Sequence, residues 1–306
     1  MAKAVRFDHY GDIGALYVAD VEIPIADPGE VIVQMRAAGT NPGEASIRKG
    51  LLDARAPSTF PSGQGSDLAG VVYEVGPGVT TWSVGDEVLG WSWRRSSQAE
   101  YVAVPADQLI PKPPELSWPA AGSLYVVGVT AYAAVRAVAT SPGDTVIVSA
   151  AAGGVGSLVV QLLKVRGASV IGIASETHHA WLTSVGVIPV SYGNGLADRL
   201  RDAADGKIDA FIDLFGPEYV HLAVELGVPR DRIETIISFE AAQEFGTKAE
   251  GSGDATSTEI LAEMANLVAS GRIDVPIAAT YPLDRVRDAY TELEQRHTRG
   301  KIVLVP

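Results

Sequence analysis

Thr145-Val146-Ile147-Val148-Ser149-Ala150-Ala151-Ala152-Gly153-Gly154-Val155-Gly156 decides the fold. Its first half is an apolar, β-branched run, which is the pattern of a buried strand. Its second half is a turn of small residues, and the residues from Val155 to Arg166 continue as an amphipathic helix. A strand that stops in a glycine-rich turn and opens a helix is the context of a dinucleotide-binding loop. Gly153 and Gly154 let backbone amides approach phosphate oxygens with no Cβ in the way. The helix aims its unpaired N–H groups and positive dipole end at the charge. Gly156 allows the helix to pack closely on the strand. Ala151 stands where the usual fingerprint has its first glycine.

The next strand, Ser169 to Ala174, ends Ile171-Gly172-Ile173-Ala174-Ser175. A site for NAD carries an acidic residue there, roughly 20 residues beyond the first glycine, to bond the ribose hydroxyls. Ala174 and Ser175 offer none, so a 2'-phosphate is tolerated and NADPH is favoured. Ser175, His178 and Tyr192 are placed to bond or stack on that end. Glu176 opposes the preference, and the stretch contains no Arg or Lys.

Farther out, strands and helices alternate: Ser123–Ala139 as helix, Trp181–Val185 as helix, and Ile208–Asp213 and Ile233–Ile237 as strands. This alternation predicts a doubly wound parallel sheet, an α/β fold. Gly246–Ser257 is polar and small, a surface loop, and Ile260, Met264 and Leu267 repeat at helical spacing. The first third is different. Val31–Met35, Ala69–Val75 and Tyr101–Val104 are short β-branched runs bounded by Pro and Gly, which predicts a compact β-rich domain. The cluster Pro111-Lys112-Pro113-Pro114 marks the change.

The chain has 306 residues, no cysteine and a formal net charge of −13. It has the length of two domains. Disulfides, thiolate metal sites and a catalytic thiol are excluded. The charge disfavours nucleic acid and anionic membranes as partners. The N-terminal residues lack the apolar run of a signal peptide, and no apolar stretch has the length of a membrane span. These features predict a cytoplasmic protein.

Six further segments carry a resemblance. Asn41-Pro42-Gly43-Glu44 with Arg48-Lys49-Gly50, Gly65-Ser66-Asp67-Leu68-Ala69-Gly70, Val84-Gly85-Asp86-Glu87-Val88, Gly128-Val129-Thr130-Ala131, Ala150–Gly156 and Arg299-Gly300-Lys301-Ile302-Val303 follow in order. In this order and spacing the chain resembles the zinc-independent, quinone-oxidoreductase-like branch of the medium-chain dehydrogenases/reductases. The resemblance implies a GroES-like β-rich catalytic domain over residues 1–120 and 273–306, with a Rossmann domain over 121–272. It implies a homodimer or higher oligomer. It places Gly153, Gly154 and Val155 on the pyrophosphate and Ser175, His178 and Tyr192 on the adenosine 2'-phosphate. Thr130, Phe215, Ser238 and Phe239 would border the nicotinamide. Lys301 joins the cofactor-binding set, and Asn41 would lie near the reacting carbon. The sequence departs from relatives at His178, more often Lys or Asn, and at Leu52, often Tyr in quinone reducers. Ser66-Asp67 replaces the Gly-His-Glu motif of the zinc branch.

Hydride transfer to a quinone or enone needs no strong Lewis acid, because conjugation spreads the incoming charge onto oxygen. The protein contributes position and a dry, polarised site. Asn41 would either hydrogen-bond the developing oxyanion or only hold the loop before Pro42. Trp91-Ser92-Trp93-Arg94-Arg95 would form an aromatic wall, an exposed loop or a subunit contact. Glu44 and Arg48 are spaced to pair on one helical turn. Asp209 and Asp213 face one side of a strand, better explained as strand-end polar groups than as an acid/base pair. The adjacent His178 and His179 are not spaced to share a metal. The expected function is NADPH-dependent reduction of a small quinone or enone. The alternatives are an enoyl reductase of a specialised pathway and a non-catalytic NADPH-binding redox sensor.

Overall fold

A computed structural model describes residues 1–306, and the chain divides into two compact units. Residues 1–126, 257–270 and 277–306 form the first, and residues 127–256 and 271–276 the second.

The second unit is built on five parallel strands in the order Ile188–Val190, Ser169–Ile173, Thr145–Val148, Ala210–Asp213 and Ile233–Thr235. The strand entering the glycine-rich turn is central, and the chain leaves it first to one side and then to the other. That reversal makes a switch point, where ligands of such sheets bind beyond the carboxyl ends of the strands. The core is apolar on both faces of the sheet: Ile147, Ile171, Phe211 and Ile233 lie in register on one face, and Val146, Val148, Val170 and Ile212 on the other, all of them buried. This is why these strands are nearly continuous hydrophobic runs.

The first unit is β-rich. One sheet runs Ile277–Pro282, Lys301–Val305, Glu30–Gly39, Asp67–Val75, Glu87–Trp91 and Leu109–Pro111, with Tyr101–Pro105 also pairing with Glu30–Gly39. A smaller sheet joins Tyr17–Val21, Ala2–Phe7 and Ser62–Gly63. The last strand, Lys301–Val305, lies against Glu30–Gly39, so the C-terminus completes the domain begun at the N-terminus.

The helix expected over 123–139 is present as Leu124–Ala137, and a separate short helix, Trp118–Ala121, precedes it. A Cβ on Gly122 would lie 2.4 Å from the Ala37 carbonyl oxygen, so the chain breaks where it presses on the strand Glu30–Gly39. The loop expected over 246–257 contains a short helix, Ser252–Ala255, and Lys248 extends the sheet by a bridge to Glu234. The helix Thr258–Ala269 falls within the first unit, where it meets the strand Leu109–Pro111, and Leu261, Met264 and Ala265 are its buried residues.

Glu234 sits on the edge strand with no exposed surface. One carboxyl oxygen accepts the Glu250 N–H at 2.6 Å, and the other has no partner. Burial, with Glu250 and Asp254 nearby, pushes its pKa up to about 8 against the pull of that one hydrogen bond. The folded state therefore holds this proton over a window in which the unfolded chain has released it. Stability is unaffected by this group below about 4.5 and falls as pH rises from there to about 8. Glu234→Gln should therefore gain on the wild type in melting temperature as pH is raised across that window. A difference that stays constant with pH would show that Glu234 ionises normally.

Candidate functional site

In the second unit, the sequence Ala150–Gly156 folds as its composition requires. Ala150 adopts φ +46°, a left-handed conformation that costs a residue with a Cβ. The Ala151 amide bonds the Ile173 carbonyl at 3.0 Å and ties the turn to the neighbouring strand. Ala151 replaces the usual glycine at no steric loss because Gly172 faces it: a Cβ on Gly172 would come within 2.9 Å of the Ala151 Cβ. Gly156 has no such freedom, since a Cβ there would lie 2.2 Å from the Ala150 oxygen. Gly153 is open on its outer side, where a Cβ would meet only the Ala150 oxygen, at 3.3 Å. It caps the helix Gly154–Val165 without a side-chain hydrogen bond. The first amides of that helix are left for a ligand. This cradle fits a pyrophosphate.

Five of the other expected coenzyme residues follow the carboxyl ends of strands in this sheet. Ser175 follows the strand Ser169–Ile173, and its hydroxyl pairs with Thr177 at 2.7 Å. Tyr192 follows Ile188–Val190 and is exposed. Phe215 follows Ala210–Asp213 and is exposed, while Ser238 is buried and Phe239 exposed beyond Ile233–Thr235. Thr130 is buried in the helix Leu124–Ala137, and His178 is half-buried at the start of the next helix.

Asp213 organises this edge, a role its position at a strand end only hinted at. Its fully buried carboxylate accepts the Ser149 hydroxyl and the Phe215 and Gly216 amides on Oδ1. Oδ2 accepts the Thr235 and Ser238 hydroxyls at 2.7 and 3.0 Å. One carboxylate thus fixes the loops after three strands. Asp209 does not join it, being bonded to the Thr145 amide and paired with Lys207.

In the first unit, the polar residues of these motifs form a buried network. Lys301 is 3% exposed, and its ammonium donates to the Thr40 carbonyl, Asn41 Oδ1 and Asp67 Oδ2 at 2.9, 2.5 and 3.2 Å. Its three N–H bonds are spent, so it has none to offer a cofactor phosphate, contrary to the sequence expectation. Asn41 is 4% exposed, and its amide nitrogen donates to Glu44 Oε1 at 3.1 Å and Asp67 Oδ2 at 3.0 Å. With both N–H groups given to carboxylates, Asn41 has no donor for an oxyanion; it holds the loop instead. Glu44 also accepts from the Asn41 and Ser66 amides, Gln98 and Tyr290. Burial raises its pKa first and the Asp67 charge second, while the Tyr290 and Asn41 bonds and Lys301 oppose them. Glu44 does not pair with Arg48, which instead meets Glu294 at 2.6 Å. Trp91 is buried and stacks on Tyr125 with centroids 4.7 Å apart; Trp93 is exposed and meets the same ring edge-on.

The chain was compared with known proteins. The family model "Alcohol dehydrogenase GroES-like domain" matches residues 27–114, and "Zinc-binding dehydrogenase" matches residues 125–304. Quinone oxidoreductase 1 of Escherichia coli (strain K12) is 30% identical, over 100% of this chain and 100% of that protein. The chloroplastic NADPH-dependent alkenal/one oxidoreductase of Arabidopsis thaliana is 30% identical, over 99% of this chain and 79% of that protein. The crystal structure of Escherichia coli quinone oxidoreductase complexed with NADPH superposes with a TM-score of 0.87 at 25% identity, covering 100% of both chains. The second family description implies zinc, but the donors present do not fit it. The chain has no cysteine, no three His, Asp or Glu side chains are grouped to hold a metal, and the carboxylates of Glu44 and Asp67 are engaged as described.

Removing one partner from a buried ion pair leaves the other charge uncompensated. Lys301→Met should therefore lower the unfolding free energy by about 3–5 kcal/mol in urea titration. A loss below about 1 kcal/mol, the worth of an exposed pair, would mean that water reaches Asp67.

Proposed function

The chain belongs to the quinone-oxidoreductase-like family of the medium-chain dehydrogenases/reductases, and from this we propose that it transfers hydride from NADPH to a small quinone or α,β-unsaturated carbonyl. The observation that carries the reading is the open cradle at Gly153 on the switch-point edge of the parallel sheet. Gly153, Gly154 and Val155 would hold the pyrophosphate, and Ser175, His178 and Tyr192 the adenosine end. Thr130, Phe215, Ser238 and Phe239 would hold the nicotinamide, which supplies the hydride when bound.

What the chain's own residues contribute is position and exclusion of water. Asp213 holds the Phe215 and Ser238 loops before any ligand arrives, so little ordering cost remains at binding. Phe215 and Phe239 leave apolar ring surface exposed at the same edge, suited to the flat face of a nicotinamide. No side chain is assigned as proton donor. A conjugated acceptor places the incoming charge on its own oxygen, where water protonates it. This fits a protein whose Asn41 and Lys301 are turned inward, and it routes no step through a metal.

The test follows NADPH absorbance against quinones, enones, enoyl thioesters and saturated ketones, with and without a chelator. Sustained oxidation with quinones or enones, unchanged by the chelator and absent with saturated ketones, is expected. Turnover confined to enoyl thioesters would make it an enoyl reductase. Tight NADPH binding without turnover on any acceptor would leave a coenzyme-binding protein and overturn the catalytic reading.

A further inference from the structure

The adenosine end of the second unit holds a cation that no motif announces. Arg199 lies on the helix Leu196–Ala203, and its guanidinium gathers the turn that follows the strand Ile188–Val190. Nη2 donates to the Ser191 carbonyl at 2.8 Å and to the Gly193 carbonyl at 3.3 Å. Nε reaches the Ser191 carbonyl at 3.3 Å, and Nη1 the Asn194 carbonyl at 2.6 Å. Gly193 and Gly195, at φ +103° and +74°, allow the turn to fold back over the guanidinium. Every acceptor is neutral. The adjacent carboxylate, Asp198, pairs with Arg201 instead, and Arg199 forms no ion pair. Its charge is thus fixed in place without being cancelled.

The braced turn is part of the coenzyme edge. It carries the exposed Tyr192, and the Ser191 hydroxyl donates to Glu176 Oε1 at 3.4 Å, next to Ser175 and Thr177. A neutral hydroxyl leaves the Glu176 charge in place, so a phosphate bound here needs a compensating cation. The peptides whose carbonyls face Arg199 direct the N–H groups of Tyr192, Asn194 and Gly195 to the opposite side, because a trans peptide sets its C=O and N–H antiparallel. Amides so aligned, backed by a cation, favour an anion. In a chain of net charge −13, a phosphate needs such local compensation.

We propose that Arg199 is a specificity-determining residue that selects coenzymes phosphorylated at the adenosine 2'-position, by its uncancelled charge and by the turn it holds. This rests on the coenzyme reading above. Calorimetric binding of NADP+, NAD+, 2',5'-ADP and 5'-ADP to the wild type, Arg199→Gln and Arg199→Lys tests it. Arg199→Gln should weaken NADP+ and 2',5'-ADP by about tenfold or more while NAD+ and 5'-ADP change by less than about twofold. Arg199→Lys keeps the charge but loses the fork, and should fall between. Equal weakening of all four ligands would reduce Arg199 to a brace, and no change in any would remove it; either overturns the proposal. Should the Gln variant not fold, the Lys variant decides, since a merely structural role predicts no difference between phosphorylated and unphosphorylated ligands. A wild type that binds none of the four would instead sink the coenzyme reading itself.

Discussion

A buried ammonium must be given as many acceptors as it has hydrogens, and Lys301 meets that demand inside the first unit. It bonds Thr40 and Asn41 at the end of the strand Glu30–Gly39 and Asp67 at the start of the strand Asp67–Val75. Asp67 in turn receives the Val126 amide, and Asn41 joins Asp67 to Glu44. Glu44 reaches Gln98 and Tyr290, so the network draws in the helix Val286–Glu294 as well. Removing such charges from water costs several kcal/mol per ion, which only a nearly complete set of partners repays. Segments far apart in sequence are therefore tied to one another. The same saturation fixes the chemistry, since groups spent on each other are not free to act on a substrate.

The second unit solves a related problem without a cation. Asp213 is held by three hydroxyls and two amides. Charge-assisted bonds of this kind are short and strong. They stiffen the sheet edge where loops would otherwise be the most mobile part of the fold. Stiffness matters because hydride transfer tolerates little error in the placement of the reacting atoms. Arg199 acts alike at the far end of that edge, with backbone carbonyls as its partners. Each device gathers a loop around one charge through neutral partners; they differ in burial, for Asp213 is fully enclosed whereas Arg199 is partly exposed.

Local periodicity was enough to read the alternation of strands and helices, the glycine-rich turn and the change of character near Pro111. Each depends on neighbours in sequence: a β-branched run, a small-residue turn, an apolar face at helical spacing. Ala150–Gly156 determined its own conformation because the space around Gly153 and Gly156 is set mostly by that turn. The absence of cysteine excluded thiolate donors from composition alone. Only the tertiary structure decided what each polar side chain faces. Glu44 and Arg48 are spaced to pair, yet Arg48 finds Glu294 and Glu44 finds Tyr290, both contributed by a distant helix. Arg199 lies outside the stretch after Ser175 and braces the turn whose Ser191 bonds Glu176, because parallel strands bring successive loops to one edge. Hydrogen bonds are directional and short, so the partner of a charge is whatever the fold delivers within about 3 Å, and spacing along the chain does not carry that information.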